Sequence, residues 1–181
     1  MTDLLKKAAN IKLLVLDVDG ILSDGKIIFD ANGVESKQFH VQDGLGITAL
    51  HQYGIHVAII TGRISPMVAK RADELNIIHV LQGRDDKLTA LKELLASKEL
   101  LANLSSPISL NECAYMGDDL PDIKALQAVG FAATVPNAHR EVINRVDMVT
   151  TRTSGEGAVR EVCDLILKAT GHYQDFIAKF E

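Results

Sequence analysis

A chain of 181 residues, 47% hydrophobic and 24% charged, has the size and composition of one soluble globular domain with a single good core. Its net charge of −5 gives no electrostatic support to phosphate-backbone binding, and with aromatics at 4% and no Trp it is poorly supplied with stacking platforms for nucleic acid. No apolar run approaches a membrane span, the opening MTDLLKKAANIK lacks the apolar core of a signal peptide, and Cys113 and Cys163 fall in no CxxC motif, so the chain reads as cytoplasmic with two buried free thiols.

The first element is a buried strand, KLLVLD (12–17), which runs into DVDG (17–20). IIFDANGVESKQFHV (27–41) reads as a hairpin turning at Asn32-Gly33. DGLGITALHQYG (43–54) fits a helix that stops near Gly54. HVAIIT (56–61) is a second buried strand, and SPMVAKRADELN (65–76) opens with a Ser N-cap and a first-turn Pro. A short strand (78–82), a helix (87–100) and a polar loop (102–112) follow. Then come a strand (113–117), a helix (121–130), a strand (131–135), a helix (139–146), a strand (147–151) and an amphipathic closing helix (157–172). Repeated strand–helix units predict an α/β fold: a Rossmann-like three-layer sandwich with a central parallel sheet. The whole of 1–181 is expected to form one domain. Ligands in such folds sit beyond the C-terminal strand ends.

Those strand ends carry the chemistry. After the first come Asp17, Asp19 and Gly20; after the second, Thr61, Gly62 and Arg63. Lys87 opens the helix behind the third, and Asp118, Asp119 and Asp122 follow the fourth. Clustered carboxylates repel one another, and a hard divalent cation such as Mg²⁺ removes that penalty. Asp17 and Asp118 are candidate ligands, with the Asp19 carbonyl a third. A free carboxylate beside the metal can attack phosphorus, and a second acid two residues on can handle the proton. Thr61, the Gly62 N–H and Lys87 suit phosphoryl oxygens. Asp119 and Asp122 are candidates for orienting the ligands, or for a helix start.

DVDG (17–20), TG (61–62), Lys87 and GDDLPD (117–122), in that order, resemble the haloacid dehalogenase superfamily. The resemblance implies Asp17 as nucleophile and Asp19 as acid/base. Neither gap between the first three motifs has room for the cap domain of many superfamily members, so a neighbouring subunit is the economical cover. The hairpin 27–41, with Ile27, Ile28, Phe29, Val34, Phe39 and Val41, is the candidate contact, or else a flap on its own domain. The stretches LDVDGILSDG (16–25), AIITGR (58–63) and GAVREVCDLIL (157–167) narrow the likeness to the 3-deoxy-D-manno-octulosonate 8-phosphate (Kdo 8-phosphate) phosphatase family, from Ile11 to about Gly171.

That likeness implies a Mg²⁺-dependent homotetramer acting on a sugar-acid phosphate in lipopolysaccharide precursor synthesis. Arg63 and Arg71 match its substrate-binding positions, and Arg suits a carboxylate. His40, Val41, Gln42, Asp43 and Gly44 correspond to its substrate loop, although His40 replaces a common Asn and Thr48 an occasional Arg. The tail 172–181 either reaches a neighbouring site or frays. A nine-carbon sugar-acid phosphate is the nearest alternative substrate, with Arg63 favouring the eight-carbon one. A receiver-like signalling domain and an inactive oligomeric scaffold are the readings from other classes.

Overall fold

The computed structural model describes residues 3–102 and 106–181, so part of the polar loop expected at 102–112 lies outside the described residues. Its elements in chain order are α1 (Asp3–Ala8), β1 (Leu13–Leu16), β2 (Ile28–Phe29), β3 (Glu35–Ser36), α2 (Val41–Gln52) and β4 (His56–Ile60). There follow α3 (Pro66–Glu74), β5 (His79–Leu81), α4 (Lys87–Ala96), α5 (Lys98–Leu101) and β6 (Cys113–Met116). The chain continues through α6 (Ile123–Ala128), β7 (Phe131–Thr134), α7 (Arg140–Ile143), β8 (Met148–Val149), α8 (Ala158–Ala169) and α9 (Tyr173–Ile177).

Among the described residues, six strands pair in parallel in the order β5-β4-β1-β6-β7-β8. Every residue of β1, β6 and β7 is buried, as a sheet covered on both faces requires. The strand period of two splits the core cleanly. Leu14, Leu16, Val57, Ile59 and Met116 face α2, α3 and α8. Leu13, Val15, Ala58, Ile60 and Tyr115 face α4, α6 and α7. Fully burying any one of these Leu or Ile side chains contributes about 2 kcal/mol.

Several expected boundaries move, each for a local reason. Helix α2 begins two residues earlier than expected because His40 caps it, its Nδ1 accepting from the Gln42 N–H at 3.3 Å. Residues 40–44 are therefore a cap and a first helical turn, not a loop after the hairpin. The hairpin strands are only two residues long, paired Ile28 to Ser36 and Phe29 to Glu35. The helix expected over 87–100 breaks at Ser97, whose extended backbone (ψ 138°) ends α4 while its hydroxyl caps α5. Ser65 stands at the N-cap of α3 without capping it; its Oγ lies by Met67 Sδ. Helix α1 was not expected.

Gly54 ends α2 at φ +74°, where Gly54 and Ile55 donate to the His51 and Leu50 carbonyls. The same wrapped ending follows α8 at Gly171 (φ +83°) and turns the chain back. The tail then folds onto its own body. Tyr53 stacks on His172 at 4.6 Å, and the buried Phe176 meets Phe180 edge-on.

Candidate active site

The four strand ends meet in one cleft of about 540 Å³. Asp17, Asp19, Thr61, Gly62, Arg63, Lys87, Asp118, Asp119 and Asp122 all line it. Gly25, Asp85 and Pro121 line it too, unforeseen from the motifs.

Asp17 extends the β1 ladder by one bond, its N–H donating to the Met116 carbonyl at 3.0 Å. The chain then curls, with the Ile21 and Ser23 N–H groups both donating to the Val18 carbonyl. Gly20 holds φ +90°, and a Cβ there would stand 2.0 Å from Asp118 Oδ2. Only glycine lets the loop lie against that carboxylate. Thr61, past β4, is buried and bridged by backbone bonds to Leu81 and Arg84.

Asp122 is the hub. Its side chain is 1% exposed. Its Oδ2 accepts from the Asp118 and Asp119 N–H groups at 3.1 and 3.2 Å. Its Oδ1 accepts from the Tyr115 hydroxyl at 3.0 Å and from Lys87 Nζ at 2.9 Å. Gly117 makes room, since a Cβ there would fall 2.3 Å from Asp122 Cγ. Asp119 only caps the following turn, accepting from the Leu120 N–H. The spacing left the two acids equivalent; burial separates them.

Lys87 Nζ lies 3.0 Å from Asp17 Oδ1 in an ion pair. Burial works against the ammonium, but Asp17 and Asp122 outweigh it and raise the pKa. Burial first, then the Asp122 charge, pushes Asp17 up to about 6 despite Lys87. Asp118 rises to about 7, through burial and then the charges of Asp17, Asp122 and Asp119.

One cation among three acids leaves the cluster short of positive charge. Asp118 Oδ1 is buried without a hydrogen-bond partner, and Asp17 Oδ1, also buried, has only the Lys87 ammonium beside it. Oxygens of Asp17, Asp118 and Asp122 all lie within 4.8 Å of one another. All-oxygen donors with unsatisfied lone pairs fit a hard divalent cation.

The cation should therefore compete with protons. Without metal, folded-state pKa values raised above the unfolded 3.8 mean that stability is fully present below about pH 4 and falls as pH rises through 6 and 7. Metal replaces those protons, so its effect should grow above pH 7. Saturating Mg²⁺ should raise Tm by about 5–10 °C at pH 8 and by almost nothing at pH 5. Asp118→Asn should remove most of the shift at pH 8. An equal shift at both values in thermal unfolding would contradict the assigned cluster.

Arg71 and residues 40–44 come together, but outside the cleft lining. Arg71 Nη2 lies where a Cβ on Gly44 would be 2.5 Å away, and the guanidinium pairs with Glu74 at 3.2 Å. Gln42 bonds Arg152. Asp43 is buried, its Oδ1 accepting the Arg160 N–H of α8 at 2.7 Å, and burial raises its pKa. Val41 is exposed at the first position of α2. The motif reading also missed Lys37 and Glu35. Lys37, just past β3, reaches Asp19 Oδ1, and Arg63 bonds Glu35 at 2.8 Å.

Known proteins resemble this chain in sequence and fold. Residues 75–162 match the model of a family described as haloacid dehalogenase-like hydrolase. The chain is 48% identical to the 3-deoxy-D-manno-octulosonate 8-phosphate phosphatase of Salmonella typhi, over 94% of this chain and 86% of that protein. It superposes on the Moraxella catarrhalis enzyme of the same name, solved with magnesium, phosphate and Kdo, with TM-score 0.92 and 54% identity over 100% and 99% of the two chains. The cobalt-bound Haemophilus influenzae enzyme gives TM-score 0.85 and 39% identity over 94% and 95%. With that identity running along almost its whole length, and with the strand-end acids gathered in one cleft, the chain belongs to the 3-deoxy-D-manno-octulosonate 8-phosphate phosphatase family of haloacid dehalogenase-like hydrolases.

Proposed function

We propose that this chain hydrolyses 3-deoxy-D-manno-octulosonate 8-phosphate to Kdo and inorganic phosphate, with Mg²⁺ as cofactor, in lipopolysaccharide precursor synthesis. The observation that carries the chemistry is the joining of Asp17, Asp19, Thr61, Lys87 and Asp118 in one cleft. The relatives, named for this reaction, support the substrate.

Asp17 attacks phosphorus while the bond from phosphorus to the sugar C8 oxygen breaks. Asp19 gives that oxygen its proton, so the sugar leaves as an alcohol. Water then attacks the aspartyl-phosphate, Asp19 takes the water proton, and phosphate departs with Asp17 restored. Thr61 hydroxyl, the Gly62 N–H and Lys87 hold the phosphoryl oxygens. Asp17, Asp118 and the Asp19 carbonyl hold the metal, which supplies positive charge against the carboxylates and the phosphoryl group. Asp122 keeps Lys87 and the 118–119 backbone in place. Arg63, at the rim, takes the sugar-acid carboxylate. Arg71 and His40–Gly44 lie outside the cleft lining of this chain, and their substrate-binding role, implied by the family likeness, is carried by no contact within it.

The same reading makes the enzyme a cytoplasmic homotetramer joined through the hairpin. Ile27, Ile28, Phe29 and Val34 are exposed on this chain, and an isolated two-stranded hairpin is marginal in water. Among the described residues no helix is long and apolar enough to cross a membrane.

Phosphate release with Mg²⁺ across a panel tests the assignment. Kdo 8-phosphate should exceed nine-carbon sugar-acid phosphates by about tenfold or more, and carboxylate-free hexose phosphates by more than about a hundredfold. A preference for the nine-carbon esters would move the substrate and keep the chemistry.

A further inference from the structure

Lys37 is an odd residue to find buried. It follows a two-residue strand on an exposed hairpin, yet its side chain is only 1% exposed. An ammonium leaves water at a cost of several kcal/mol unless it is paired. Its partners are Asp19 Oδ1, in direct contact, and Glu35 at 3.6 Å. Arg63 completes the group, 2.8 Å from Glu35 and, through Nε, 3.6 Å from Asp19 Oδ2. Two acids and two cations thus form a neutral ring across the cleft mouth. Asp19 and Arg63 come from the sheet edge, and Glu35 and Lys37 from the hairpin.

We propose that Lys37 is a positioning residue for the proton-transfer carboxylate Asp19, an inference that rests on the acid/base role given to Asp19 above. A carboxylate on a short stem at a cleft mouth has several rotamers. Proton transfer requires an oxygen within about 2.6–3.2 Å of the leaving group. Lys37 occupies Oδ1 and so fixes the carboxylate plane. Oδ2, held more loosely by Arg63 at 3.6 Å, is the oxygen left to carry the proton. The hairpin therefore orients the acid from outside the catalytic strand ends.

The test reads leaving-group dependence in kcat/KM, which covers transfer to Asp17 and departure of the leaving group. Kdo 8-phosphate and glucose 6-phosphate both need a protonated leaving oxygen; p-nitrophenyl phosphate does not. Lys37→Met should lower kcat/KM about 10- to 100-fold on both alkyl esters and less than about threefold on p-nitrophenyl phosphate. Lys37→Arg should restore most of the loss. If Lys37→Met folds poorly, Lys37→Met with Glu35→Gln removes one charge of each sign and should show the same split. Equal loss on all three esters makes Lys37 structural. Loss on Kdo 8-phosphate alone makes it a carboxylate ligand. Either result overturns the proposal. Asp19→Asn, run in parallel, should show a larger split of the same form. If it shows none, the role of Asp19 itself fails; if it does and Lys37→Met does not, only the positioning role fails.

Discussion

Replacing Asp17 by Asn is expected to lower phosphate release by more than about four orders of magnitude, because the amide cannot attack phosphorus and no other carboxylate occupies its place. The same change should leave the metal-free protein as stable as the wild type at pH 8, or firmer. In the folded chain the Asp17 carboxyl sits at about 6 because burial and Asp122 oppose its charge. Ionising it at pH 8 therefore works against folding, by on the order of 1–3 kcal/mol. The neutral amide relieves that opposition. Activity and stability should move in opposite directions, which ordinary damage to the fold does not produce. Phosphate release and metal-free thermal unfolding, measured on one preparation, check both halves. Turnover within about a hundredfold of wild type would remove Asp17 from the nucleophile role.

Lys87→Met is the second large effect, and here both quantities should fall. Lys87 is 4% exposed and stands between Asp17 at 3.0 Å and Asp122 at 2.9 Å. Methionine fills similar space and removes the charge. Two buried carboxylates then face each other with no cation between them, a loss of about 3–5 kcal/mol. For a chain of this length that lowers Tm by roughly 6–20 °C. Turnover should drop about 10²- to 10³-fold with the lost donor to the phosphoryl group. Adding Asp122→Asn should recover part of the stability, since the two residues share one network. It should recover none of the turnover. A Tm within about 2 °C of wild type would mean that the ammonium is not the electrostatic keystone of the cluster.

The strand ends were legible because apolar runs announce buried strands and the acids, Thr61 and Lys87 follow them directly. The parallel sheet and the cleft-lining motif residues came from that rule. Other features escaped it. Asp122 and Asp119 are both acids near a turn, and only the folding-back of the chain at Gly117 shows that one is a hub and the other a cap. Lys37 lay in a hairpin read for its apolar residues, so its inward direction had no signal in strand alternation. His40 is not among the side chains favoured at helix starts, which hid the true beginning of α2. Arg71 carried a chemical argument from its charge alone, and only the fold shows that its place on α3 sets it beside Gly44, outside the cleft lining of this chain.

The strand order has a further consequence, for how the chain comes into being. β1 leaves the ribosome early, yet it occupies the interior of the sheet, and its two neighbours begin at His56 and Cys113. Until both are synthesised, Leu13–Leu16 is an apolar strand with two open edges, the kind of segment that invites wrong partners during slow, long-range pairing. Asp17, which waits at its end, gains its ionic partner Lys87 only after β4 and β5 are made. During synthesis the chain thus carries Asp17 long before it can hold it, and the cleft is complete only when the turn after β6 brings Asp118 and Asp122 beside it.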